Sequence, residues 1–182
     1  MNRLDRSDHG DAEMAAQFTP MHHHGDFRTM RLVVARGYRM ATRGLPPFVA
    51  IIVLADRVVS VAANSAGSLF DPTAHAEILA IRRAAKRLRS RSLRGAWLYS
   101  TWEPCPMCFS ALYKSGFTRL VYGGSTSDLS DAEYGGLRIN CSTLCSFGDR
   151  PIEIVAGLLR EDALAALAVW RVNRDRHCSY GS

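Results

Sequence analysis

The chain has no apolar run near the roughly 18 residues that a bilayer-spanning helix needs, so no membrane segment is expected. Its first 25 residues are polar, acidic in places and rich in histidine, and they lack the apolar stretch of a secretory leader. Cysteine is present as an odd set: Cys105, Cys108, Cys141, Cys145 and Cys178. Without a leader, that count argues against a disulfide framework and leaves metal binding or free thiols. No internal repeat is visible. These absences point to a cytoplasmic enzyme or binding domain.

Acidic residues are missing from one stretch in particular. Between Ile78 and Trp102 stand Arg82, Arg83, Lys86, Arg87, Arg89, Arg91 and Arg94, and no Asp or Glu. They supply much of the net charge of +6. Such a run reads first as a solvated helix face and second as a surface for nucleic acid. The 182 residues suit one domain able to bury a core.

Residues 1–25 read as a flexible extension, and the His22–His24 run within them is assigned no role. A helical pattern over about 27–43 places Met30, Val33, Val34, Gly37 and Tyr38 at spacings of three and four, and the prolines of "GLPP" end it. "FVAIIVLA" (48–55) reads as a strand buried on both faces, and "VVSVAAN" (58–64) as its return. A helix is expected over about 74–90 with an apolar stripe of Ile78, Ile81, Ala85 and Leu88. Strands follow at 96–101, 119–124 and 151–157, with helices from Pro104 or Pro106 to Ser115 and over about 160–175. The segment 125–150 has turn residues and no period. Strands alternating with helices predict an α/β sandwich.

Two short clusters carry the chemistry: "DPTAHAE" at 71–77 and "EPCPMC" at 103–108. Cys105 and Cys108 lie three apart at a predicted helix start, on one helix face, where the helix dipole favours thiolate. His75 also opens a helix after a strand and a loop, so both clusters fall at the same edge of the sheet. Two thiolates and an imidazole suit Zn²⁺, and three protein ligands leave the fourth position open to water, as in catalytic sites. Cys141 and Cys145 are the remaining candidates for a fourth ligand, in an aperiodic segment far along the chain. Glu77 stands two residues after His75, out of line for the same metal shell but near enough to take a proton from metal-activated water.

H-A-E followed downstream by P-C-x-x-C is the signature of zinc deaminases. The chain resembles the cytidine deaminase-like superfamily over about residues 27–175. "DPTAHAEI", "EPCPMC" and "RLVYGG" look most like the branch of guanine deaminases and bacterial tRNA adenosine deaminases. The resemblance implies a three-layer α/β/α sandwich around a five-stranded mixed sheet, a deaminase domain over 26–178, a homodimer and hydrolytic deamination. It matches His75, Cys105 and Cys108 to the zinc ligands and Glu77 to the proton shuttle. It matches Asn64 to an asparagine that hydrogen-bonds substrate, although a turn residue at a strand end is an equal reading.

"CPMCF" is more like the guanine deaminases, whereas "IEIVAGLLREDALAALAVWRVNR" resembles the end of the tRNA enzymes. The substrate expected first is therefore a free guanine-like base or nucleoside. A tRNA adenosine deaminase follows, then a cytosine-type enzyme, and last a non-catalytic zinc module that binds nucleic acid. Trp102, where a smaller residue is expected, is a candidate stacking surface for a base or a core residue. Tyr134 is a candidate substrate contact, because the long segment around it is the one able to cover a site.

Overall fold

The computed structural model describes residues 23–174. The N-terminal extension up to residue 22 and Cys178 lie outside the described residues. Helix α1 (His23–Ala41) begins inside the stretch assigned to that extension. It leads through Gly44–Pro47 into β1 (Val49–Leu54), which turns back into β2 (Arg57–Ala63). Ala55 and Asp56 both have positive φ, 48° and 58°, the backbone of a two-residue hairpin turn whose twist matches its strands.

Strands β3 (Trp97–Trp102), β4 (Arg119–Gly124) and β5 (Glu153–Val155) complete one sheet in the order β2-β1-β3-β4-β5. β1 is antiparallel to β2 and β3, whereas β3, β4 and β5 run parallel. The sheet is therefore mixed and five-stranded, as the resemblance implies.

Alternation along the central strands builds two cores. Ala50 and Ile52 of β1, Leu98 of β3 and Leu120 of β4 face one of them. Val49, Ile51, Tyr99 and Val121, the intervening residues, face the other with Met30, Val33 and Val34 of α1. A period of two on a sheet covered on both faces makes each strand a continuous apolar run. Helices α3 (Ala76–Leu88) and α4 (Pro106–Ser115) cover the first face. Helices α1 and α7 (Arg160–Asn173) cover the second. The short helix α2 (Ala66–Leu69) lies in the loop after β2.

The buried stripe of α3 differs from the expected one. Ala76, Ala80 and Ala84 are fully covered, whereas Ile78, Ile81 and Ala85 are half-buried and Leu88 is exposed. The methyl stripe lets the helix lie close on the sheet, near enough for Ser60 Oγ of β2 to donate to Ala80 O at 2.7 Å. Gly37 plays the same part in α1, since a Cβ there would sit 2.9 Å from Pro47 O and 3.1 Å from Thr101 Cγ2.

The basic face of α3 also has structural work. Arg83 Nη1 donates to Val61 O at 2.7 Å and Arg87 Nη1 to Val59 O at 3.4 Å. β2 is an edge strand, so these arginines cover carbonyls that would otherwise offer a pairing edge.

Asp26, 4% exposed, pins the first turn of α1 to the sheet. It accepts from Tyr99 Oη at 2.7 Å and from Arg119 Nη2 at 2.5 Å. Arg119 also meets the exposed Glu153 at 3.0 Å. Asp26→Ala is expected to lower the unfolding free energy by roughly 2–3 kcal/mol, below the range for a fully buried pair because Glu153 remains. Tyr99→Phe should cost about 1 kcal/mol, the net value of one hydrogen bond. Urea denaturation of both variants checks the order.

Candidate functional site

His75 and Cys105 are the residues that open α3 and α4, each with extended backbone angles (φ −67°, ψ 155° and φ −65°, ψ 165°). Pro106 fixes the first helical position of α4, where its missing N–H has no cost. Because His75 is not itself helical, the rule that i and i+2 diverge on a helix does not apply to His75 and Glu77. Both reach the same space.

The donor atoms of His75, Cys105 and Cys108 lie within 4.8 Å of one another. His75 Nδ1 is 3.6 Å from Cys105 Sγ and 3.5 Å from Cys108 Sγ. A tetrahedral zinc with sulfur at about 2.3 Å and nitrogen at about 2.0–2.1 Å gives S···N edges of about 3.5–3.6 Å. Both S···N separations therefore match those around such an ion. Among the described residues no fourth ligand joins them: Cys141 Sγ donates to Pro104 O at 3.3 Å, and Cys145 Sγ accepts from Ile152 N at 3.4 Å.

The electrostatics agree with the geometry. A hydrogen bond from the Cys108 thiol, with help from His75 and against burial, holds the Cys105 thiol down at about 4. The bond to Cys105 raises His75. Cys108 is pushed up by that same partnership with Cys105 and by burial. As protein groups alone, the cluster thus favours a thiolate at Cys105 beside a neutral thiol at Cys108. A second buried thiolate requires a divalent cation beside it.

Glu77 is 7% exposed and abuts the cluster. Its Oε2 accepts from Cys108 Sγ at 3.5 Å and its Oε1 from Ser100 Oγ of β3 at 3.1 Å. Burial raises its carboxyl above the usual range, offset in part by hydrogen bonds. A carboxyl so placed holds a proton more readily than a solvated one.

The cavity over these groups is open to solvent, and counted into its mouth it has an empty volume of about 550 Å³. His75, Glu77 and Cys105 line it together with all three residues proposed from sequence as substrate contacts. Asn64 follows β2 directly and uses Oδ1 to accept from Ala66 N at 3.3 Å, so it serves the turn and still lines the cavity. Trp102 is 3% exposed, so it is a core residue and a cavity wall at once. Its six-membered ring lies over Gly124, where a Cβ would meet Cζ3 at 2.1 Å. Its Nε1 is buried and has no partner among the described residues. Phe48 stands edge-on to it, ring centres 6.1 Å apart at 83°. Tyr134 is half-buried, its hydroxyl donating to Leu137 O at 2.7 Å.

Phe48, Glu103, Leu129 and Glu133 also line the cavity and escape sequence reasoning. Glu103 alone had a local signal, its place two residues before Cys105. The segment after β4 is ordered into a 3₁₀ turn (Thr126–Asp128), α5 (Asp131–Tyr134) and α6 (Cys141–Ser146). Glu133 caps α5 and pairs with Arg171 at 2.7 Å and Arg174 at 3.3 Å; the Arg171 bond, with hydrogen bonds from Ser130 and against burial, holds its carboxyl down at about 2.

The family of the cytidine and deoxycytidylate deaminase zinc-binding region matches residues 24–124. The tRNA-specific adenosine deaminase of Aquifex aeolicus is 38% identical over 108 residues, 59% of this chain and 68% of that protein. The guanine deaminase of Bacillus subtilis is 38% identical over 88 residues, 48% of this chain and 56% of that protein. The chain thus spans about half to two thirds of the length of these curated relatives. The solved guanine deaminase of Nitrosomonas europaea superposes with a TM-score of 0.70 at 26% identity, covering 80% of this chain and 84% of that one.

Metal analysis of purified protein should return about one zinc per chain, the load of a three-ligand site. His75→Ala and Cys105→Ala should each lose it, while Glu77→Ala keeps it. Equal loss in Glu77→Ala would make Glu77 a ligand.

Proposed function

The chain belongs to the cytidine and deoxycytidylate deaminase zinc-binding family, and from that premise we propose that it hydrolyses the exocyclic amino group of a purine-type base or nucleoside, guanine-like first, releasing ammonia. The observation that carries this reading is the buried Glu77 carboxyl set against the His75–Cys105–Cys108 cluster at the floor of an aromatic-walled cavity.

His75 Nδ1, Cys105 Sγ and Cys108 Sγ would hold the zinc. When bound, zinc supplies a Lewis acid that lets water act as a nucleophile near neutral pH. Glu77 then moves the protons. Its carboxylate takes one from the attacking water and gives it to the ring nitrogen beside the amino-bearing carbon, then carries the second from the new hydroxyl to the amino group, which leaves as ammonia. Ser100 Oγ fixes one carboxyl oxygen and leaves the other on the cluster side. Asn64 would orient the base by hydrogen bonds, and Phe48, Trp102, Leu129 and Tyr134 supply flat apolar walls that exclude water.

A small substrate is supported by what the basic residues already do. Arg83 and Arg87 hold the edge of β2. Arg160 and Arg171 of α7 pair with Asp128 and Glu133 of the segment over the cavity. The likeness to the guanine deaminases of two bacteria points the same way.

One observation favours a tRNA substrate. The exposed face of α1 and its C-terminal turn carry Arg28, Arg31, Arg36, Arg39 and Arg43, none in an ion pair among the described residues. Arg28 to Arg39 spans about 16 Å of helix at about 1.5 Å per residue. The A. aeolicus relative is a tRNA enzyme. The homodimer stays part of the proposal, and sedimentation equilibrium tests it.

An ammonia-release screen over free bases, nucleosides and a tRNA stem-loop decides the substrate. Turnover of a free purine is expected, nearly independent of salt, and reduced at least about 10²-fold in Glu77→Gln. Turnover of the stem-loop alone, falling steeply with salt and weakened by Arg31→Gln with Arg39→Gln, would overturn the small-molecule reading.

A further inference from the structure

Glu103 is 5% exposed, yet the chemistry above makes no use of its carboxylate. It follows β3 directly, and its backbone N extends the ladder to Gly124 O at 2.8 Å. Its side chain reaches two places far apart in the chain. Oε2 accepts from Ser125 Oγ at 3.0 Å, Thr126 N at 3.3 Å and Thr126 Oγ1 at 3.3 Å. Oε1 accepts from Cys141 N at 2.9 Å. The neighbouring Pro104 O accepts from Cys141 Sγ at 3.3 Å. Ser125 and Cys141 bracket the stretch that places Leu129, Glu133 and Tyr134 on the cavity wall. Both ends of that stretch are therefore fastened to one carboxylate, two residues before Cys105.

We propose that Glu103 is a positioning residue: it clasps both ends of the cavity-covering segment to the loop that carries Cys105, and so sets the cavity that receives the substrate. The consequence for substrate binding rests on the deaminase reading, whereas the clasp itself does not. A carboxylate is required because all four contacts are donors. Glutamine has the same shape but turns an NH2 toward Cys141 N–H or toward the Ser125 and Thr126 donors, leaving a buried donor without an acceptor. Aspartate is one methylene too short to span both anchors.

The test uses the zinc-loaded full chain and two variants. Glu103→Gln should keep about one zinc per chain. It should raise KM for the best base about tenfold while kcat changes less than about threefold, the pattern of lost ground-state binding. Limited proteolysis should cut between residues 127 and 140 several times faster than in the wild type. Ser125→Ala with Thr126→Val removes both hydroxyl donors at one end and leaves only the Thr126 N–H there, and should shift KM and cleavage in the same direction by about threefold. That double variant gives the answer if Glu103→Gln does not fold. Adding it to Glu103→Gln should be less than additive, because both act on the same contacts. Unchanged KM and unchanged cleavage in either folded variant would overturn the proposal. Zinc loss equal to that of Cys105→Ala would overturn it too, by assigning Glu103 to the metal loop alone. Faster cleavage in a protein whose wild type deaminates no base would support the clasp and refute the proposed function.

Discussion

Two thiols, an imidazole and a carboxyl group share one buried space at the end of this sheet, and their charges must balance there. His75 Nδ1 stands 3.6 and 3.5 Å from the two sulfurs, and Cys108 Sγ stands 3.5 Å from Glu77 Oε2. Without a cation, only Cys105 is readily a thiolate; its partnership with Cys105, and then burial, pushes Cys108 toward its neutral form, and burial does the same to Glu77. A divalent ion lets both thiols ionise and still leaves Glu77 outside the donor set, free to exchange protons. The fold serves this balance. β3 carries Ser100 beneath Glu77, and two helices begin at the same strand edge with their positive ends toward the sulfurs.

The close fit of α3 to the sheet follows from that requirement. Ala76, Ala80 and Ala84 keep its axis near the strands, so that its first turn delivers His75 and Glu77 over the end of β3. Larger side chains on that stripe would lift the helix and separate the donors. At the opposite wall, Trp102 has space only because Gly124 has no side chain. The cover over the cavity is held from two directions, by Glu103 on the metal-loop side and by Arg160 and Arg171 on the α7 side.

The strands and the donor cluster were legible in the sequence because their signals are local. β1 is a continuous apolar run, β4 matches its expected span of 119–124, and His75, Glu77, Cys105 and Cys108 lie within two short motifs. Asn64, Trp102 and Tyr134, named for different reasons, line one cavity. The alanine stripe of α3 was not legible: hydrophobic periodicity favours the larger Ile78 and Ile81, whereas closeness to the sheet selects the smaller side chain. The order within 125–150 was hidden for another reason. Asp128 meets Arg160, Glu133 meets Arg171, and Glu103 meets Ser125 and Cys141. Those partners lie 22 to 38 residues apart in the chain, so no local window shows them. The basic run of α3 was legible as charge but not as a cover for the edge of β2, because that depends on which strand ends the sheet.

The central claim is that three side chains, and no more, bind the metal beside Glu77. X-ray absorption at the zinc edge tests it most directly. The account predicts two sulfur neighbours at about 2.3 Å and two nitrogen or oxygen neighbours at about 2.0–2.1 Å, one of them imidazole, with the same two sulfurs in Cys141→Ser and in Glu77→Gln. Three or four sulfur neighbours, or a sulfur lost in Cys141→Ser, would contradict it by closing the position that the chemistry needs open.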